Sequence, residues 1–262
     1  MAGTERRTIV IQERDRHLLS EIGVMRVVDR EQAKTIAGFG STTRVNVRLL
    51  ALARAGLLRR FFLGTTAGGK KALYALSAKG AELVGVPERG PRRRIGEALV
   101  ADFFVEHQLT VNQVYCFLKY GPLPSRVTFV RWLAFYRPLG ANTNLIPDGY
   151  VEIQAPTGVV ASFLEVDLGH ESLKVWKEKV RNYLQFALSD EFQRSFSRDR
   201  FRVIVLANSE RRLRSIREVV APSTKQIFWF ASLDSVRREG FFAPIWLRPT
   251  GEERQTFLGE HQ

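Results

Sequence analysis

Cysteine is almost missing from this chain: Cys116 is the single one in 262 residues. No disulfide can staple the fold, and the scattered His17, His107, His170 and His261 give no zinc spacing in its place. Cys116 sits among Tyr115, Phe117 and Leu118 and reads as a small buried hydrophobe. No apolar run approaches the roughly 20 residues that a membrane-spanning helix needs, so no membrane partner is expected. The first residues lead into a short strand-like stretch at 8–11 without a long apolar region or a small-residue cleavage site, which makes the cytoplasm the expected location. The glycine-rich stretch 64–71 lacks the G-x-x-x-x-G-K-[ST] pattern, since Lys70 is followed by Lys71, and an ATPase is excluded.

Acid is scarce where the charge matters. The formal charge is +13, which asks for an anionic partner. From Met1 to Arg94 there are 19 Lys/Arg against 8 Asp/Glu, whereas the remainder holds 21 against 19. Nearly all of the excess therefore lies in the first third, the distribution of a nucleic-acid-binding module joined to a less charged domain. A solvated basic surface with no such duty would give the same count. With 45% hydrophobic and 26% charged residues, disorder of the whole chain is excluded, and 262 residues predict two domains.

Apolar residues Leu18, Leu19 and Ile22 recur at helical spacing over 13–24, and a second short helix runs to Ile36 before the turn Gly38-Phe39-Gly40. Ser41 is a natural N-cap for a third helix over 42–55, with Val45, Leu49, Leu52 and Ala53 inward. Strands are expected at 57–63 and 72–77 around a flexible hairpin, then a helix over 78–84. This order, with LARAGLLRR leading into a glycine-rich wing and YALSAKGAELV closing it, resembles the winged helix-turn-helix modules of bacterial DNA-binding proteins. An α-helix fits the major groove, where base edges differ. Arg44, Asn46 and Arg48 are then the base or phosphate contacts. Thr42 and Thr43 lie at the helix N-terminus, where hydroxyls and backbone N–H groups suit phosphate. Arg59, Arg60, Lys70 and Lys71 would add phosphate contacts from the wing. A solvated hairpin, or a winged helix that binds protein, would show the same residues.

Two prolines, two glycines and a basic run occupy 85–94, so no element continues through. The expected division is a winged-helix domain at 1–85, a linker at 86–94 and a second domain at 95–262. In the latter the spacing predicts helices over 95–109 and 112–120, strands at 126–135, 146–154 and 159–168, and a long helix over 171–192 with Leu173, Trp176, Val180, Tyr183 and Leu184 inward. A buried strand at 203–207, a helix over 209–220, a strand at 227–231 and an extended tail at 241–247 follow.

The acids of this second domain invite chemistry. Strand alternation puts Glu165 and Asp167 on one face and Leu164, Val166 and Leu168 on the other. With Asp148 at the start of the neighbouring strand, the acidic side would hold a hard cation such as Mg²⁺, which carboxylate oxygens suit. The same acids would equally serve as the polar outer face of a sheet. Helix, three strands, helix and strand is an order similar to the core of PD-(D/E)xK nucleases, which implies an α/β (α+β) fold with a mixed sheet flanked by helices. Pro147-Asp148 matches that family's first motif and Glu165 the acid of its second, while Asp167 stands where its lysine belongs. The resemblance implies a lysine from the following helix, Lys174 or Lys177, and an extra acid from the first helix, Glu97 or Glu106.

A winged helix followed by His107, Leu109 and Asn112 in H-x-L-x-x-N, then PDG, FLEVDLGHES and a helix with Lys177 and Tyr183, resembles the replication-relaxation family of plasmids and other mobile elements. The resemblance implies handling of double-stranded DNA in plasmid replication or mobilisation; as an accessory protein the chain would serve a relaxase or replication protein, and winged helices often bind two-fold sites as homodimers. It does not establish cleavage. An Mg²⁺-dependent endonuclease or nickase and a winged-helix transcriptional regulator stand as alternatives.

Overall fold

A computed structural model describes residues 9–64, 69–91, 102–140 and 143–259. The chain forms two compact units, Met1–Gly121 and Pro122–Gln262. The first contains α1 (Glu13–Met25), β1 (Val28–Asp29), α2 (Arg30–Ile36), α3 (Thr42–Arg54), β2 (Leu58–Gly64), β3 (Lys70–Leu76), α4 (Ala78–Val84) and α5 (Asp102–Tyr120). Its sheet is antiparallel in the order β1-β3-β2. Local chemistry sets the helix starts. Asp29 and Gln32 cap α2 reciprocally. Ser41 and Ser77 accept backbone N–H bonds at the starts of α3 and α4. Gly85 ends α4 at φ 68°, a conformation that a side chain disfavours. Leu18, Leu19, Ile22, Val45, Leu49 and Leu52 form the apolar faces, as their spacing predicts.

The division falls at residue 121, not at the Pro/Gly stretch, and the helix assigned by sequence to the second domain belongs to the first unit. Its buried polar groups explain why. Asn112 Nδ2 donates to Val27 O at 2.6 Å and Met25 O at 3.2 Å, and Gln32 Nε2 donates to Leu109 O at 2.8 Å. Tyr115 and Lys119 both donate to the buried Glu21, at 2.6 and 2.7 Å. Each of these groups would be left unsatisfied if α5 departed. The helices expected at 95–109 and 112–120 are also one continuous helix from Asp102, whereas 92–101, with Arg92 to Arg94, Glu97 and Leu99, lies outside the described residues. Cys116 is buried, and burial pushes its thiol up to about 12, which removes it from nucleophilic duty at neutral pH.

The second unit contains β4 (Thr128–Leu133), β5 (Gly149–Ala155), β6 (Gly158–Asp167), α6 (Leu173–Leu188), α7 (Glu191–Phe196), β7 (Arg202–Ala207), α8 (Glu210–Val220), β8 (Phe228–Ser232) and α9 (Leu233–Glu239). The sheet order is β4-β5-β6-β7-β8. β4, β5 and β6 pair antiparallel, while β6, β7 and β8 run parallel, so helices must carry the chain back between the parallel strands. An aromatic-rich core joins Phe163, Trp176, Tyr183, Phe186, Phe201 and Phe228 between the sheet and α6–α8. The helix expected over 171–192 breaks near Ser189 into α6 and α7, and Leu173 is exposed, not inward. Helix α9 had no sequence-based expectation.

Both faces of β6 are covered. Leu164 and Val166 are buried, and so are Glu165 and Asp167, each 1% exposed. The acids therefore do not form a solvated sheet face. They lie on the side that packs against α6 and α8.

Candidate functional site

In the first unit, α3 presents Thr43 and Arg44 to solvent, with Thr42 and Asn46 half-buried. Arg44 N donates to the capping Ser41 hydroxyl at 3.3 Å. A groove of about 500 Å³ runs between α2, α3 and β3, lined by Arg30, Glu31, Asn46, Arg60, Lys70 and Lys71. Residues from α3 and from the β2–β3 hairpin thus converge on one concavity. Arg30 pairs with Glu31 at 2.9 Å and Lys71 with Asp29 at 2.5 Å. Arg44, Arg60 and Lys70 make no ion pair among the described residues, and the Arg60 guanidinium lies 4.6 Å from the Phe62 ring centre. Residues 65–68, expected as the tip of the hairpin, lie outside the described residues.

Two basic residues expected at this surface are used internally. Arg48 grips Asp15 of α1 through Nε at 2.7 Å and through Nη2, which also donates to Val10 O at 2.7 Å. Burial would raise the Asp15 carboxyl, but the hydrogen bonds from Arg48 and Gln12 outweigh it and hold that group below its ordinary value. Arg59 donates to Leu76 O at 3.1 Å and pairs with Glu88 at 2.8 Å.

In the second unit, Asp148 immediately precedes β5. Its N–H donates to Leu164 O at 3.1 Å, and its Oδ2 accepts from Val166 N at 2.7 Å, so one residue brackets Glu165 from the neighbouring strand. Gly149 follows because a Cβ there would collide with the Trp132 ring. Glu165 accepts from Tyr183 Oη at 2.5 Å and from Lys179 Nζ at 2.7 Å. Lys179 also donates to Glu171 at 2.8 Å. Burial, together with the charge of Asp148, pushes the Glu165 carboxyl up to about 7 despite the opposing Lys179. Burial would deprotonate Lys179, yet the carboxylates of Glu165, Glu171 and Asp148 prevail and raise it. Tyr183 is also raised well above its ordinary value, by burial first.

Asp167 has different partners. It accepts from Arg212 Nε and Nη2 at 2.9 and 2.7 Å, from Trp176 Nε1 at 2.6 Å and from Gly169 N at 2.6 Å. Burial works against its charge, but these donors hold the carboxyl below its ordinary value. Asp148 and Glu165 therefore come together as expected, while Asp167 is a fully bonded brace to α6 and α8. The lysine at the site is neither Lys174 nor Lys177, both of which are exposed, but Lys179. Its position was legible: Trp176, Lys179, Val180 and Tyr183 fall at helical spacing on the inward stripe, and a lysine on such a stripe needs a buried acid. Glu106 is exposed on α5 of the other unit.

Mg²⁺ was expected at Asp148, Glu165 and Asp167. Asp167 does not fit it, since Arg212, Trp176 and Gly169 occupy both of its oxygens, and a cation beside Asp148 would have to displace Lys179 or Tyr183 from Glu165. No group of three or more His, Cys, Asp or Glu side chains is gathered for a metal among the described residues. None of the helices among the described residues is long and apolar enough to cross a membrane.

The fold and this site define an α/β protein of two units, one carrying a basic groove and the other an acid–lysine pair under α6. The family model described as replication-relaxation matches residues 19–197, from α1 through α7, and the chain belongs to that family. Membership supports a role associated with replication. No curated protein and no solved structure matches the chain.

Proposed function

We propose that the chain is a double-stranded DNA-binding protein acting in the replication or mobilisation of a plasmid or other mobile element, with α3 and the β2–β3 hairpin as its duplex-facing surface. The element order α1-β1-α2-α3-β2-β3, with the sheet β1-β3-β2, supports a winged helix, in which α3 lies along the major groove and the hairpin tracks the backbone. The observation that carries this reading is the groove where Asn46, Arg60 and Lys70 meet, two of them cations that make no ion pair among the described residues. Binding of a duplex should weaken steeply with salt. Arg60→Gln and Lys70→Gln should each flatten the log K against log salt slope by about 0.9 if each contacts one phosphate. Absence of salt-dependent duplex binding by the intact chain would sink this reading.

A second reading, a divalent-cation-dependent nickase, is favoured by one contact. Lys179 lies 2.7 Å from Glu165, with Asp148 on the adjacent strand, the set of residue types that PD-(D/E)xK nucleases use. The sheet with β4 to β6 antiparallel and β7 parallel to β6 also follows that core. Nicking of supercoiled DNA with Mg²⁺ or Mn²⁺ that disappears in Asp148→Asn would establish it. Intact DNA with retained binding would leave the second unit as a platform without hydrolysis.

A further inference from the structure

The starts of β7 and β8 carry a concentration of charge that neither the α3 surface nor the Glu165 site employs. Arg202 opens β7, and alternation puts it on the face opposite Val203 and Val205, which join the core under α6 and α8. Its guanidinium lies 4.4 Å from the Trp229 ring centre, and that of Arg248 lies 4.3 Å from the same ring. Arg202 also donates to Phe257 O, and Arg248 to Lys225 O at 3.3 Å. Ring faces and carbonyls orient these guanidinium groups, but they do not neutralise them. Among the described residues no carboxylate pairs with Arg200, Arg202, Lys225 or Arg248.

Such an arrangement is costly by itself. Like charges repel, and burial penalises the charged form. Both act on Arg202, which burial pushes down to about 10 with help from Arg248 and Arg200. Among the described residues of this unit, the better-buried cations have found acids: Lys179 has Glu165, Arg212 has Asp167 and Arg217 has Glu252. Beside these arginines lies a cavity of about 210 Å³, with Arg200, Arg202 and the β5–β6 turn at Thr157 and Gly158 on its polar side and apolar residues of β6 and Phe201 completing the wall. A planar guanidinium held in fixed orientation, as those of Arg202 and Arg248 are, suits the oxygens of a phosphate, and the exposed Arg200 can join it from the cavity rim.

We propose that Arg200 and Arg202, reinforced by Arg248, form a phosphate-binding site at the β5–β6 turn and the start of β7. A nucleic-acid backbone and a small phosphate-bearing molecule share this chemistry. The site stands independently of the α3 surface.

The test uses the full chain and the double variant Arg200→Gln, Arg248→Gln, which leaves the Arg202 brace to Phe257 in place. Inorganic phosphate should raise the thermal midpoint of the wild type above that in chloride at equal ionic strength, and the double variant should lose that difference. With a linear duplex, a salt slope shallower by about 1 to 2 in the double variant would assign the phosphate to the nucleic acid, at about 0.9 per lost contact. An unchanged slope, with the phosphate response lost, would assign the site to a small phosphate-bearing molecule. Identical responses of wild type and double variant to both phosphate and duplex would overturn the proposal. A wild type that responds to phosphate but binds no duplex would remove the DNA-binding function while leaving this site intact.

Discussion

Two ends of one sheet handle buried charge in opposite ways. At the C-terminal end of β6, Glu165 and Asp167 are sealed under α6 and α8, and each faces a cation: Lys179 for one, Arg212 for the other. At the start of β7, Arg202 and Arg248 lie over Trp229 without a carboxylate between them. The first end has satisfied itself within the chain, so removing either partner strands the other. The second end lacks an anion, so removing a cation relieves repulsion as much as it loses packing. The difference separates charge that holds the fold from charge available to a ligand.

The largest expected effect follows from the first end. Above pH 7, where Glu165 is ionised in the wild type, Lys179→Met would leave it buried beside Asp148 with its cation gone, and breaking a buried pair on one side costs about 3–5 kcal/mol. Urea unfolding of the variant reads this directly. A combined Lys179→Met, Glu165→Gln variant should recover most of the loss, because the stranded charge goes too. A mild effect of Lys179→Met alone, no larger than that of a change at Arg248, would erase the contrast between the two ends.

Next in size is a pH dependence in which the two acids act with opposite sign. Glu165 is raised from 4.5 to about 7 in the folded chain, so the folded state holds its proton more tightly than the unfolded one. Its contribution is complete below 4.5 and is lost as pH rises through about 7. Asp167 is lowered from 3.8, so its contribution is complete above 3.8 and is lost as pH falls through the depressed value. Unfolding measured across pH should therefore show stability falling between 4.5 and 7, and Glu165→Gln should flatten that limb while leaving the acid limb of Asp167 in place. A limb unchanged by Glu165→Gln would mean that the acid ionises freely inside the fold.

The same contrast explains what was legible in the sequence. Elements set by local pattern and capping, such as α3 after Ser41 and the paired strands β5 and β6, could be read from spacing because the physics that makes them is short-range. The proximity of Asp148 to Glu165 was legible for the same reason, since the two strands join through a tight turn. Partnerships across long separations were not. Arg48 looks like a groove contact until Asp15, 33 positions away, captures it. Asn112 looks like part of a second domain until it meets the carbonyls of Met25 and Val27. Asp167 looks like a metal ligand until Arg212, 45 positions on, binds both its oxygens.

The smallest expected effect is the sharpest probe of the second end. Arg248→Met removes a cation–π contact with Trp229, which costs about 0.5–1 kcal/mol. It also removes the charge that disfavours protonated Arg202, a gain of opposite sign. The two should nearly cancel at low ionic strength. Salt weakens the repulsion at partly exposed groups and leaves the ring contact less affected, because the screening length falls from about 10 Å at 0.1 M to about 3 Å at 1 M. Wild type should therefore gain more stability from added sodium chloride than Arg248→Met does. If instead both respond equally to salt, the arginines at the start of β7 do not repel one another, and the demand for an anion there disappears.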